Sequence, residues 1–414
     1  MKRPHGDGGI DERGPNKWRL RYRVNGRRIS VAFSGTKTEA RSKLRSLLDA
    51  ASKGEHVDPS KVTVGQWIDQ WILAGAPGRK KKRVSQRTLE RYEQLLMTHV
   101  EPVLGARPLQ KLKAAEIDKL YMGMATAGEI APRTQHHVHV VFGALLATAT
   151  RKGLIVANPM FRVEQVPNPE ERLSDDDPAE DADDDIGEGL DEAQLAALIA
   201  GFKPSSLFPV VALAAASGAR RNELLALRWT DLDPDKKTLR IERAWEQTKK
   251  FGLRLKPPKT KRGLRTIELD DGTIKILLAE RERYQRFQAG IPDGAADVDL
   301  SLIRLPARAL MFPGAPETGV EFDVSVPRNP RNFSKEFARR AGLLGFGATR
   351  FHDLRGIHST ALLDGGIPVH IVAQRIGDDP AVLLRNYVKR KRTKAADASL
   401  STAIGALAAG FLGS

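Results

Sequence analysis

The chain of 414 residues carries 67 Lys and Arg against 51 Asp and Glu, a net charge of +16, and such a surplus calls for a polyanionic partner. With 41% hydrophobic residues, 36 Gly and 24 Pro it holds enough apolar material for several cores, which excludes collagen-like and wholly disordered chains. It has no cysteine, so disulfides, thiol nucleophiles and zinc fingers are excluded as well.

Residues 1–56 read as a small sheet followed by a helix. In Trp18-Arg19-Leu20-Arg21-Tyr22-Arg23-Val24 apolar and basic residues alternate, the period of a strand with one buried face. Asn25-Gly26 suits a two-residue hairpin turn, and Ile29, Val31 and Phe33 repeat the alternation on the return strand. Arg19, Arg21 and Arg23 then share one face, either solvated or offered to a DNA groove. Thr36 to Glu39 has capping-box spacing and opens a helix to about Ala51.

Residues 61–165 read as a four-helix domain. Trp67 and Trp71 fall four apart on the first helix face. A basic loop, Arg79-Lys80-Lys81-Lys82-Arg83, precedes a second helix over about 85–100, and further patterns cover about 114–125 and 132–152, the last opened by Pro132. On so basic a chain the loop is assigned to phosphate contact. His136, His137 and His139 lack a carboxylate at ligand spacing and are read as core or DNA-facing, so no metal is expected.

Between 170 and 192 there are thirteen acids and one base, Arg172, leaving +28 on the rest of the chain. A run with so little apolar surface reads as a solvated linker, assigned to 166–189, with a competing role as an internal rival of DNA for the basic surfaces. Residues 190–392 mix helices with short strands, Leu239–Trp245 and Leu264–Leu269 being joined by a basic, Pro-containing connection; helical patterns follow around 273–288, 331–341, 350–364, 368–376 and 380–389. The Ala/Leu-rich tail, 393–414, suits packing on a partner. The fold class is therefore multidomain α+β: a small three-stranded sheet plus helix, an all-α four-helix domain, and a mainly α domain with a small antiparallel sheet.

Three stretches of this last domain hold polar residues that packing alone does not require. They are Ser217-Gly218-Ala219-Arg220-Arg221-Asn222-Glu223, Lys256-Pro257-Pro258-Lys259-Thr260-Lys261-Arg262-Gly263-Leu264-Arg265, and Phe351-His352-Asp353-Leu354-Arg355-Gly356-Ile357-His358, with Tyr387 behind them. In this order they resemble the tyrosine recombinase family, specifically phage-type integrases: Arg-x-x-Glu, a lysine in a Pro-Lys-Thr context, His-x-x-Arg, and a glycine-led position nine residues before a tyrosine. The resemblance implies an arm-type DNA-binding domain at 1–56, a core-binding domain at 61–165, a catalytic domain at 190–392, and a tail that docks on a neighbouring protomer. It also implies a cytoplasmic, nucleoid-associated enzyme in a bacterial host, acting on double-stranded DNA with core and arm attachment sites as a homotetramer, with DNA-bending and directionality factors as possible partners.

The chemistry can be stated from the residues. Cleaving a phosphodiester without a metal needs positive charge on the non-bridging oxygens, a nucleophile, and a proton for the leaving oxygen. Arg220 and Arg355 are planar, permanently charged forks suited to phosphate. By the resemblance, Tyr387 attacks phosphorus to give a 3′-phosphotyrosyl bond, Lys259 protonates the departing 5′ oxygen, and His352 exchanges protons nearby. Lys256 and Lys261 are competitors for the lysine role, while Glu223 and His358 are read as structural supports. No cofactor and no ATP are required, because bond energy is conserved. One position departs from the pattern: where the family carries His or Trp as a phosphate donor, this chain has Asp378, a carboxylate that only accepts hydrogen bonds. It motivates an alternative, a catalytically weakened DNA-binding regulator; a relaxing topoisomerase is the other. No stretch approaches the ~18 apolar residues of a membrane span, and Met1 to Gly6 has no apolar run behind its charges, so a soluble protein is expected.

Overall fold

The computed structural model describes residues 8–24, 26–52, 57, 59–78, 83–168, 190–258, 261–292, 298–315 and 322–391. Arg79, Lys80, Lys81, Lys82, Lys259, the acidic run 169–189 and the tail from 392 lie outside them. The chain divides into two compact units, Met1–Pro178 and Ala179–Ser414.

The first unit has two separate cores. Strands β1 (Gly9–Gly14), β2 (Lys17–Val24) and β3 (Arg27–Ser34) form an antiparallel sheet in the order β1-β2-β3. Trp18, Leu20 and Tyr22 point to the buried face, where they meet Ala40 and Leu44 of α1 (Lys37–Ser52). The alternation thus decides the face, and the arginines between these residues lie on the other side. Arg19 and Arg23 are exposed. Arg21 departs from the expected free face, because Asp11 of the neighbouring strand pairs with its guanidinium.

The second core gathers α2 (Val64–Leu73), α3 (Gln86–Leu95), α4 (Glu101–Leu104), α5 (Ala114–Ala127) and α6 (Pro132–Arg151). Trp67 and Trp71 are both buried; Trp67 donates to the Leu145 carbonyl, and Trp71 stacks on Tyr92. The helix expected over 85–100 runs on through a π turn, Leu96–Val100, into α4. Pro102 accounts for the turn: it has no N–H to give and its ring would press on the Thr98 carbonyl in a regular helix. Arg83 is exposed just before α3.

The second unit is built on α7 (Glu192–Phe202), α8 (Phe208–Ser217) and α9 (Arg221–Leu224), then β4 (Leu232–Asp233), β5 (Thr238–Ile241), β6 (Ala244–Thr248), β7 (Gly252–Lys256) and β8 (Arg265–Glu268). Helices α10 (Asp271–Gln288), α11 (Pro330–Leu343), α12 (Asp353–Asp364), α13 (Val369–Ile376) and α14 (Pro380–Lys391) complete it. One core holds α8, the sheet β4-β5-β8, α10 and α11 together, with Phe202, Phe333 and Phe337 among its most buried side chains.

Here the expected strand Leu239–Trp245 is corrected. It is two strands in two sheets, β5 paired with β8 and β6 paired with β7. The break falls at Glu242 and Arg243, where Arg243 turns to the buried carboxylate of Asp231. The connection to β8 consequently contains a hairpin of its own, β6-β7, fastened by buried Glu246 to Arg254 and Lys256. No described helix is long and apolar enough to cross a membrane.

Candidate active site

The site is assembled where four helix ends of the second unit meet. Helix α8 stops at Gly218, whose φ of +61° is the left-handed conformation that favours glycine. A Cβ there would lie 2.6 Å from Cδ2 of His358 and 3.0 Å from Ile376, so the tight approach of α8 to α12 and α13 also needs this residue. Two positions later Arg220 enters α9. Its N–H donates to Glu223 Oε2 at 3.0 Å, its Nη1 to Glu223 Oε1 at 3.1 Å, and its Nη2 to the Gly377 carbonyl at 3.2 Å.

Arg355, on the first turn of α12, is 6% exposed. Its Nη1 donates to the carbonyls of Gly218, which caps α8, and Ile376, which ends α13, at 2.8 and 2.7 Å, where free carbonyls gather. Its Nη2 donates to Asp378 Oδ2 at 2.9 Å, while Asp378 Oδ1 lies 3.4 Å from Arg220 Nη2. The two guanidiniums therefore share one carboxylate. Burial, and then the neighbouring charge of Arg220, lower the Arg355 pKa to about 10, and Asp378 opposes the shift; the group stays charged at neutral pH.

Two further arginines, which the spacing argument passed over, hold this arrangement. Arg265 on β8 is 5% exposed; it donates to Glu223 Oε2 at 2.8 Å and to the carbonyls of Arg375 and Gly263. Burial raises the pKa of Glu223, but the bonds and charges of Arg265 and Arg220 outweigh it and the net shift is downward. A signal for Arg265 was present, since it shares a strand face with buried Ile267 two residues on. Arg375 donates to His358 Nε2 at 3.2 Å and to the carbonyls of Ala216 and Glu268. His358 Nδ1 lies 2.9 Å from the Ala215 carbonyl, so the neutral ring donates from Nδ1 and accepts at Nε2. Burial and the Arg375 charge pull its pKa down to about 4.

The structure thus brings Arg220, Glu223, Arg355, His358 and Asp378 into one cluster. His352 is half-buried at the N-terminal end of α12, three residues before Arg355. Tyr387 stands elsewhere: its phenol donates to Asp364 Oδ1 at 2.8 Å. Asp364 ends α12, nine residues beyond Arg355 and so about 14 Å along the helix axis. Of the competing lysines, Lys256 is engaged by Glu246 at 2.7 Å, whereas Lys259 lies outside the described residues. The segment after it is tied back by an ion pair between Arg262 and Asp379.

Comparison with known proteins finds relatives along most of the chain. Residues 63–125 match the phage integrase N-terminal SAM-like domain. An integrase of Streptomyces ambofaciens is 26% identical over 94% of this chain and 94% of its own, and a XerC-like tyrosine recombinase of Caldanaerobacter subterraneus is 25% identical over 90% and 92%. Among solved structures, the integrase of transposon Tn1549, in complex with a circular intermediate DNA, superposes with a TM-score of 0.60 at 16% identity, covering 83% of this chain and 99% of that one. A lambda integrase dimer bound to a core site gives 0.53 at 15%, covering 95% and 98%. Relatives named integrase and tyrosine recombinase along most of the chain indicate an enzyme of DNA strand breakage and rejoining. The chain resembles tyrosine recombinases over most of its length, and its relatives' names favour neither a regulator nor a topoisomerase.

Proposed function

We propose that this recombinase is a site-specific integrase that uses Tyr387 as nucleophile and Arg220 with Arg355 as the phosphate clamp. The observation that carries it is the convergence of both guanidiniums on a single anionic group, because two forks aimed at one anion are what a phosphorane-like transition state needs. The phenolic oxygen of Tyr387 forms a bond to phosphorus, the bond from phosphorus to the 5′ oxygen breaks, and the proton on that oxygen comes from Lys259. His352, beside the clamp, exchanges protons with the phosphate and the phenol. Attack by a 5′ hydroxyl from a second duplex reverses the step and joins the exchanged strands.

The finer domain roles belong to the same proposal: 1–56 on arm sites through Arg19 and Arg23, 61–165 with the basic loop through Arg83 on the core site, 190–392 for chemistry, and 393–414 for contacts between protomers. Lambda integrase, whose fold this chain shares, has been captured as a tetramer on a Holliday junction, and we assign a homotetramer on two duplexes here. Tyr387 held on Asp364 has to give up that bond, by turning its side chain or moving with α14, to reach phosphorus.

A nicked half-site substrate tests the reading, since loss of the short 5′ fragment prevents religation. The full chain forms a covalent DNA adduct, and sequencing its junction on randomised DNA maps the core site. Tyr387→Phe abolishes the adduct, and Arg355→Ala lowers its rate by about a hundredfold or more. An adduct that persists in Tyr387→Phe overturns the assignment.

A further inference from the structure

Asp378 stands where the proposed mechanism needs a phosphate. One of its oxygens bonds Arg355 at 2.9 Å and the other faces Arg220 at 3.4 Å, the distribution that two non-bridging phosphate oxygens would adopt between the same forks. The loop that carries it is fixed on both sides. Before it, Gly377 turns at φ +71° and the Asp378 N–H donates to the Ala373 carbonyl at 2.9 Å. After it, Asp379 accepts the Ala381 N–H, starting α14, and pairs with Arg262. The Nη1 donors of Arg355 face carbonyls, and among the described residues Asp378 is the carboxylate to which it hydrogen-bonds. A guanidinium 6% exposed that loses its hydrogen-bonded carboxylate is costly even with the charge of Glu223 nearby. The Asp378 side chain, by contrast, is 26% exposed, so it has a route to water that Arg355 lacks.

We propose that Asp378 is a positioning residue that acts as an exchangeable internal counter-ion, holding both guanidiniums in phosphate-binding arrangement and surrendering them to the scissile phosphodiester when DNA enters. The idea rests on the reading that Arg220 and Arg355 hold that phosphate. A phosphodiester and a carboxylate each carry one negative charge, so the exchange leaves the charge of the cluster unchanged. Its cost falls on every phosphate that approaches. A free anion or a random DNA phosphate brings no other binding energy to meet that cost, whereas a core site gripped along its length does. Asp378 therefore sets a threshold: a phosphate held by nothing else does not displace it, whereas the scissile phosphate of a core site gripped along its length does.

Two experiments test it. In the first, full-length Asp378→Asn protein without DNA is melted in chloride buffer with and without inorganic phosphate. It melts several degrees below wild type, because Arg355 has lost its anion, and phosphate restores the loss while leaving wild type unmoved. Failure of phosphate to restore the variant, or an equal rise in both proteins, overturns the proposal.

In the second, binding of the mapped core-site duplex is measured in Tyr387→Phe protein with Asp or Asn at 378, using either a natural scissile phosphate or a neutral methylphosphonate. Asn at 378 tightens binding of the natural duplex about tenfold, the equivalent of about 1.4 kcal/mol, and leaves the methylphosphonate duplex unchanged. A purely structural role moves both duplexes together and overturns the exchange. No difference between the duplexes with either residue at 378 refutes the phosphate role of the arginines itself, a separate failure with a separate signature.

Discussion

Arg265 shows how far a single residue can organise a site it does not enter. Its guanidinium joins the end of the β7-β8 connection at Gly263, the end of α13 at Arg375, and the carboxylate of Glu223 that steadies Arg220. Lysine keeps the charge but cannot span three acceptors with one planar fork. Arg265→Gln leaves buried Glu223 with Arg220 alone and is expected to cost about 1.5–3 kcal/mol, and Arg265→Lys roughly half of that; urea denaturation of the full chain measures both. His358 gives the residue scale a pH dependence. Its pKa is about 4 in the fold and about 6.5 in an unfolded chain, so the unfolded state takes up the proton first. The stabilisation is complete above about pH 6.5 and is lost as pH falls toward 4, by up to ~3 kcal/mol. Denaturation at pH 7.5 and pH 5 should show a clear drop for wild type and a shallower one for His358→Asn; equal slopes would remove His358 from the explanation.

Among the elements, the α8 terminus carries the sharpest geometric demand. Alanine at Gly218 meets both a left-handed backbone, worth about 1–2 kcal/mol, and overlap with the His358 ring, which adds about 1–3 kcal/mol unless the ring moves. Gly218→Ala should therefore lower the melting temperature, and because the Gly218 carbonyl also bonds Arg355, it should slow adduct formation on the half-site even at temperatures where the protein stays folded. Normal adduct rates in a folded Gly218→Ala protein would contradict the link between this helix end and the clamp. The same elements show what the sequence makes legible. The helices from α10 to α14 and the pairing of β5 with β8 follow from apolar period, and Arg220, Glu223, His352 and Arg355 stand out because polar groups interrupt apolar helix ends. The β6-β7 hairpin was hidden because its inward position is filled by Glu246, a charge satisfied only across the turn by Arg254 and Lys256. Arg375 was hidden because its acceptors, the His358 ring and two backbone carbonyls, lie on other elements, and Arg265 showed only its strand face, not its bond to Glu223. Asp378 was visible as a departure, but not its bond to both guanidiniums.

For the whole molecule, the arrangement of charge matters more than its total. Thirteen acids within residues 170–192 face +28 on the remainder, and the run belongs to the same covalent chain as every basic surface it can meet. An attached acidic stretch competes with DNA at a local concentration that dilution cannot lower, and most strongly with phosphates that are held by charge alone. Replacing Asp175–Asp177 and Asp181–Asp185 acids by Ser or Gly should raise affinity for random duplex DNA about tenfold at 50 mM salt, where the Debye length is roughly 14 Å, and hardly at all at 0.3 M, where it is nearer 6 Å. Specific core-site binding should change less at either salt, since docked side chains add contacts that charge screening does not reach. Fluorescence anisotropy with random and core-site duplexes reads both quantities. If the substituted chain and wild type bind random DNA with the same affinity at 50 mM, the run is a spacer and discrimination against random phosphates is left to the carboxylate between the two arginines.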